Sequence, residues 1–226
     1  MGDRALTTNG HSVPQTPKDA APPEPGQTDG SKRSRLWQAA AGFVQGVRGD
    51  FELMRQGRAK YLGDELPPTA LPAQLVKSIG LQMMFSIRCM HLLRDAGMGV
   101  GAQIASRMIR YVYGAEIHWQ STWAPGVNIV HGNGLVVGSN ARVGPGCVLL
   151  HNVTLGDAFD RASGKIGGPT LERNVHIGPG CTLLGPITVG ADSKLMAGTT
   201  LDTSVPPRSL VLPPPATVKS RSGRGE

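Results

Sequence analysis

The sequence predicts a helical N-terminal domain followed by a parallel β-helix of hexapeptide repeats. Apolar residues follow a helical spacing up to residue 113 and a six-residue spacing after it. The chain of 226 residues also contains 31 Gly and 18 Pro, together about a fifth of its residues, against roughly 12% in average proteins. This excess favours a fold with many tight corners over a plain helix bundle.

Both ends of the chain are poor in residues that a core could bury. Residues 1–34 are rich in Pro, Gly, Thr, Ser and Asp, so we expect a disordered tail there. Residues 206–226 contain a run of three prolines, so we expect an extended arm with a basic tail. Several positive charges of the net +7 lie in these ends without interleaved aromatic residues, and nucleic acid is therefore not an expected partner.

Residues 35–113 show the pattern of a helical domain. A first apolar stripe has three- or four-residue spacing and consists of Leu36, Ala40, Phe43, Val47, Phe51 and Met54. The prolines between Gly63 and Pro72 prevent this helix from continuing. We expect a second helix over 73–96 and a third over 102–113, each of which ends before a glycine.

After Gly114 the spacing of apolar residues changes to six. The series comprises Ile117, Trp123, Ile129 and Leu135, then Val137, Val143, Leu149 and Leu155, and then Leu171, Ile177, Leu183, Val189, Leu195 and Leu201. A two-residue slip separates the first two groups, and residues 156–170 separate the last two. Short strands stacked into a prism explain this period, so we expect a β-helix of roughly five coils over 114–205. Cys147 and Cys181 fall in the small-residue positions near the corners and are expected to pack in the core.

The remaining composition bears on compartment and cofactors. No apolar run reaches the ~20 residues that a membrane span needs, so we expect no stable membrane insertion. No signal peptide is recognisable at the start of the chain, and the three cysteines suggest neither a disulfide framework nor a metal site. We therefore expect a cytoplasmic protein without a metal.

Three motifs resemble the serine acetyltransferase family. They are residues 114–118 (GAEIH), 129–138 (IVHGNGLVVG) and 153–156 (VTLG). Arg88, His91 and the following helix match the family's second and third helices, and residues 205–207 (VPP) match the end of its prism, so that the resemblance covers about residues 45–215. It implies a left-handed β-helix, transfer of acetyl from acetyl-CoA to a hydroxyl, and a homotrimer. Pairing of trimers through the helical half stays an open alternative.

The resemblance also implies site residues. His131 matches the family's general base, and an imidazole titrates near pH 6.5, which suits proton abstraction at neutral pH. Glu116 matches the carboxylate that orients this histidine, and His118 matches a further histidine expected in the same corner. His151 follows Leu149 as His131 follows Ile129, so it is expected to face the same cleft one coil later.

For acetyl-CoA, the resemblance implies a groove along the prism. The positions that match are Gly156, Asp157, Pro179, Lys194 and Ala197. The segment from Asp157 to Gly168 is long enough to cover the site and contains glycines on which it could hinge.

The acceptor positions depart from the family pattern. Val130 stands where the family has Asp, and Gly167 and Gly168 stand where it has Arg and His. These changes remove the partners of the serine ammonium and carboxylate. We therefore expect an acceptor other than free serine, namely a sugar of a surface polysaccharide or its precursor. Serine O-acetylation in cysteine biosynthesis is the alternative, and a non-catalytic trimeric scaffold is an alternative of another class.

Overall fold

The computed structural model describes residues 29–160 and 164–217 and places helices before strands. The helices within these residues are α1 (Asp29–Leu62), α2 (Leu71–Lys77), α3 (Ile79–Asp95) and α4 (Gly99–Tyr113), and a 3-10 turn at Pro68–Ala70 precedes α2. None of the helices in this part of the chain is long and apolar enough to cross a bilayer.

The first helix begins before the predicted domain boundary at residue 35. Residues 29–34 are helical, and Asp29 and Ser31 are residue types that favour a helix N-terminus. The rest of the predicted tail, residues 1–28, lies outside the described residues, as does the predicted basic tail over 218–226.

The predicted helix over 73–96 is wrong, because the chain forms two helices there. Ser78 is extended, with φ −108° and ψ 107°, and its Oγ accepts a hydrogen bond from the amide of Leu81 at 3.3 Å. With this cap, α3 begins at Ile79 and places Gly80 against the carbonyl oxygen of Ile129. A residue with a side chain would not fit at position 80. The break therefore lets α3 approach the β-helix more closely than a continuous helix would.

The strands form a left-handed parallel β-helix with three sheets, as predicted. The first sheet contains β1 (Glu116–Ile117), β4 (Val136–Val137), β7 (Thr154–Gly156), β12 (Thr182–Leu184) and β15 (Thr200–Leu201). The second contains β2 (Thr122–Trp123), β5 (Arg142–Val143), β10 (Thr170–Leu171) and β13 (Thr188–Val189). The third contains β3 (Asn128–Ile129), β6 (Val148–Leu149), β11 (His176–Ile177), β14 (Lys194–Leu195) and β16 (Leu210–Val211). An antiparallel hairpin of β8 (Ala158–Asp160) and β9 (Lys165–Gly167) interrupts the third coil.

The β-helix continues past the predicted end at Val205. Leu210 and Val211 pair in parallel with Lys194 and Leu195, so residues 206–211 complete the third side of the fifth coil. The expectation that an extended arm begins at Pro206 is therefore wrong for these six residues. The backbone of this segment hydrogen-bonds to the preceding coil. It can do so because the outermost strand of a sheet leaves a row of backbone groups unpaired.

The six-residue series of apolar residues forms the core of the prism. All of its members are buried, and all but Leu135 are the inward residues of strands. Cys147 and Cys181 are also buried, as predicted. Burial raises the pKa of the Cys147 thiol to about 11, and it also raises the pKa of Cys181. Both thiols are therefore protonated packing groups at neutral pH.

A buried ion pair joins the helices to the first coil. Asp50 of α1 and Arg88 of α3 form a bidentate pair, with Nε–Oδ2 and Nη2–Oδ1 distances of 2.8 Å each. Their side chains are 1% and 6% exposed. The remaining hydrogen bonds of the pair go to the corner after β2, where Arg88 donates to the carbonyls of Trp123 and Ala124 and Asp50 accepts from the amides of Gly126 and Val127.

We predict that Asp50→Ala destabilises the protein by about 3–5 kcal/mol, because it leaves the Arg88 charge buried without its partner. Urea unfolding of the full chain measures this change. Glu52→Ala is the matched control, since Glu52 lies on the same helix in an exposed pair with Arg55. The control should change stability by only a small fraction of the Asp50 effect. Equal effects of the two variants would contradict the central role of the buried pair.

Candidate active site

His131 lies in an enlarged corner of the prism. The corner between β3 and β4 spans residues 130–135, whereas the corresponding corners of the next three coils span 150–153, 178–181 and 196–199. His131 is exposed and has φ +55°, a left-handed conformation that few non-glycine residues adopt. The two-residue slip in the six-residue series thus lies within this corner, before Leu135 and not after it. Leu135 is a corner residue and not the inward residue of a strand.

Helix α3 supports this corner from behind. A Cβ on Gly132 would lie 2.6 Å from Met83 Sδ and 2.6 Å from Ile129 Cγ2, so only glycine permits the observed approach. The side chains of Met83 and Ile129 are buried and fix the backbone on either side of His131. The imidazole is therefore exposed on a rigid support.

A cleft of about 740 Å³ opens between the helices and this corner. Its wall from the corner includes Val130, His131 and Asn133, and its wall from the helices includes Arg58, Lys77, Ile79, Met83, Val112 and Tyr113. No acidic side chain of the described residues lines the cleft. The sequence did not point to these helical residues, because their position depends on the break at Ser78 and on the packing of α3.

His151 stands beside His131, but it is not among the residues that line the cleft, so its role at the acceptor stays a prediction. Their ring centroids are 6.3 Å apart, and the planes meet at 69°. His151 Nδ1 is buried and has no hydrogen-bond partner among the described residues. Buried polar atoms without a partner are rare in folded proteins.

Glu116 has a different partner from the one predicted. It lies on β1 of the first sheet, and its Oε2 is 3.3 Å from Arg110 Nη1. Among the described residues no hydrogen bond joins Glu116 to His131. The orienting role of Glu116 therefore stays a prediction, and it requires this exposed carboxylate to leave Arg110.

His118 does not share the corner of His131, so that expectation is wrong. It follows β1, and the chain turns there from the first sheet to the second, whereas His131 lies where the third sheet leads back to the first. The Nδ1 atom of His118 accepts a hydrogen bond from the amide of Gln120 at 3.2 Å. Its ring stacks on Trp119 with 6.1 Å between centroids.

Asp157, Gly167 and Gly168 lie at the same prism edge as His118, two coils further along. The Asp157 carboxylate accepts hydrogen bonds from Ser139 N at 2.9 Å, Ser139 Oγ at 2.7 Å and Asn140 N at 3.2 Å. A Cβ on Gly168 would collide with this carboxylate and would lie 2.9 Å from the amide of Ala141. Asp157 thus holds the base of the hairpin. This structural role accounts for the carboxylate without the predicted contact with acetyl-CoA.

The other predicted residues follow the edge of His131 or the adjoining sheets. Pro179 and Ala197 occupy the same edge as His131 in later coils, and Ala197 is exposed. Lys194 is exposed on the third sheet beside His176, and burial together with this lysine lowers the pKa of His176. Gly156 lies on the first sheet, where a Cβ would be 2.7 Å from Leu184 Cδ2.

The predicted residues therefore divide between two edges of one prism. Val130, His131, His151, Pro179 and Ala197 lie along one edge, and His118, Asp157, Gly167 and Gly168 lie along the next. No group of three His, Cys, Asp or Glu side chains in residues 29–160 and 164–217 is arranged to hold a metal ion.

Comparison with known proteins identifies relatives over most of the chain. A serine acetyltransferase of Mycobacterium tuberculosis is 33% identical over 183 residues, which are 80% of this chain and 75% of that protein. A serine acetyltransferase of Synechococcus elongatus is 35% identical over 144 residues, 64% of this chain and 58% of that protein. No protein-family model matches the chain.

Solved structures agree with these relatives. Serine acetyltransferase from Brucella abortus aligns with a TM-score of 0.66 and 25% identity over 85% of this chain and 74% of that one. The Neisseria gonorrhoeae enzyme, solved in complex with serine, aligns with a TM-score of 0.66 and 25% identity over 81% of this chain and 72% of that one. The chain therefore belongs to the serine acetyltransferase family, and it is an acyltransferase that uses acetyl-CoA as its co-substrate.

Proposed function

We propose that the chain catalyses O-acetylation with His131 as the general base. The imidazole takes the proton of an acceptor hydroxyl while the hydroxyl oxygen attacks the acetyl carbonyl carbon. A C–O ester bond forms, the C–S bond of acetyl-CoA breaks, and the imidazolium returns its proton to the CoA thiolate. The observation that carries this proposal is the exposed His131, held by a left-handed backbone on a glycine-supported corner at the wall of the cleft.

We propose L-serine as the acceptor. The relatives that span most of the chain are serine acetyltransferases, and one solved neighbour holds serine. A sugar hydroxyl is the second candidate, and a specific observation favours it. The cleft wall carries Val130 and no acidic side chain among the described residues, so the ammonium group of serine finds no carboxylate partner in the cleft of one chain.

We propose that the working unit is a homotrimer in the cytoplasm. One prism places the predicted acceptor residues on two different edges, and a neighbouring prism can bring its second edge to the His131 edge of the first. In this arrangement acetyl-CoA lies along the groove between prisms, against Pro179, Ala197, Gly156 and Lys194. The Lys194 ammonium would attract a CoA phosphate as a point charge.

A non-catalytic scaffold is the candidate of another class. It requires neither a base at the cleft nor acetyl-CoA binding, and a structural turn would be formed more easily by Gly or Asn than by the left-handed His131. Calorimetric titration with acetyl-CoA separates the two classes, because a scaffold gives no binding.

We predict that His131→Ala lowers kcat by about 10²–10⁴, the usual contribution of a positioned base, and leaves the Kd for acetyl-CoA unchanged. Steady-state release of CoA thiol and calorimetry measure the two quantities. His176→Gln is the control, since this histidine lies on the third sheet outside the cleft lining, and it should stay within twofold of the wild type. Activity of His131→Ala above a tenth of the wild-type value would remove the base from this mechanism.

We predict that Val130→Asp lowers the KM for serine at least tenfold, because a charge-assisted hydrogen bond to the ammonium is worth about 1.5–3 kcal/mol. Val130→Asn introduces a side chain with the shape of aspartate but without its charge, and it should lower the KM for serine much less. Initial rates with serine and with a panel of sugars measure the change. A wild type that acetylates a sugar with the higher kcat/KM, together with an aspartate variant that gains nothing on serine, would establish the second candidate instead.

A further inference from the structure

The helical wall of the His131 cleft carries two cations. Lys77 is the last residue of α2, and Arg58 lies near the end of α1. Both line the cleft together with His131, and no Asp or Glu from residues 29–160 or 164–217 does so. The cleft therefore has an excess of positive charge on the wall that faces the candidate base.

The two cations differ in their partners. Arg58 donates hydrogen bonds from Nε, at 3.0 Å, and from Nη2 to Oδ2 of Asp64, so its charge is partly neutralised. Lys77 is exposed, and no ion pair in the part of the chain that the structure describes includes it. The Lys77 ammonium is thus free to bind an anion that enters the cleft.

Apolar side chains form most of the rest of the helical wall. They are Met54, Leu62, Ile79, Met83 and Val112. A cleft with charges of one sign and apolar walls concentrates the electric field, so it attracts an anion more strongly than the same charges on an open surface would. On the hairpin edge, Gly167 and Gly168 provide no side chain that could bind such a group. The positive charge for an anionic ligand therefore comes from the helices.

We propose that Lys77, together with Arg58, binds an anionic group of the acceptor and so determines which hydroxyl compounds the His131 cleft accepts. The acceptor class is a hydroxyl compound that carries a carboxylate or a phosphate. The inference rests on the proposed O-acetylation, and it adds the residue that recognises the acceptor. Both serine, through its carboxylate, and an acidic sugar belong to this class. A neutral sugar does not, because it would leave the positive charge of the wall without a partner.

Acceptor pairs that differ in one charged group test this role. L-serine with L-serinamide and D-glucuronate with D-glucuronamide exchange a carboxylate for a neutral amide, and glucose 6-phosphate with glucose is the phosphate pair. The wild type should favour the anionic member of at least one pair tenfold or more in kcat/KM, because hydrogen bonds between charged groups are the stronger ones. In Lys77→Met this preference should fall about tenfold, mainly through KM, and Lys77→Arg should retain most of it.

Lys60→Met is the matched control. Lys60 is also an exposed lysine, on α1, but it lies outside the cleft lining. This variant should keep the wild-type preference. An equal loss in Lys60→Met and Lys77→Met would show an effect of net charge alone and would overturn the proposal. A preference that Lys77→Met leaves unchanged, or a wild type without any preference for the anionic members, would also overturn it.

Binding without turnover separates this proposal from the proposed reaction. The same compounds are titrated by ligand-observed NMR into His131→Ala and into the double variant that also carries Lys77→Met. The single variant should bind the anionic member of a pair at least tenfold more tightly, and the double variant should lose most of this difference. The difference in a chain whose wild type acetylates none of the compounds would refute the reaction and support the binding role. Equal Kd values within every pair would overturn the binding role, even if the wild type transfers acetyl groups.

Discussion

The in-register stacking of coils is the constraint on which the structure depends. Each strand of the three sheets makes its backbone hydrogen bonds to the strand one coil away, so successive coils bring an apolar side chain inward at the same place. A coil that changes length can do so only at a corner, where the chain leaves the ladder. The two longest departures are the corner at 130–135 and the hairpin between β7 and β10. Val130 and His131 lie in the first of these departures, and Gly167 and Gly168 lie in the second, where the chain is free of the ladder and the core.

The Asp50–Arg88 pair extends this constraint from the prism to the helices. Its hydrogen bonds end on four backbone groups of the first coil, so α1 and α3 are fixed relative to that coil. Once α3 is fixed, Met83 and Gly80 must lie against the strand and corner that carry His131. The cleft is therefore a product of the helix–prism junction. This explains why the shape of the site depends on residues far from His131 in the sequence.

The sequence predicted the architecture better than the site. The six-residue period reports a regular, local geometry, and it identified the inward residues and the number of coils. It misplaced the two-residue slip, because Leu135 is as apolar as a strand residue although it fills a corner. The helix break at Ser78 was missed because no Pro or Gly precedes it, and its cause is the tertiary contact of Gly80 with Ile129. His118 was assigned to the wrong corner because that assignment followed the resemblance to the family and not the position of the residue in the six-residue series.

The residues of the hairpin edge depend on one another, and this affects how an acceptor site can change. Asp157 accepts its hydrogen bonds from Ser139 and Asn140 only because Gly168 leaves room for the carboxylate. A histidine at position 168 would displace this anchor, and the hairpin would lose its present path.

Gly167 is similarly confined, since a Cβ at this position would lie 2.7 Å from the Cβ of Pro186. The absence of side chains at 167 and 168 is thus coupled to the path of the hairpin. The side chains that bind serine in the family pattern can therefore not be restored at this edge by single substitutions. Position 130 lies on the other edge, away from the hairpin, so a carboxylate introduced there leaves the Asp157 anchor in place.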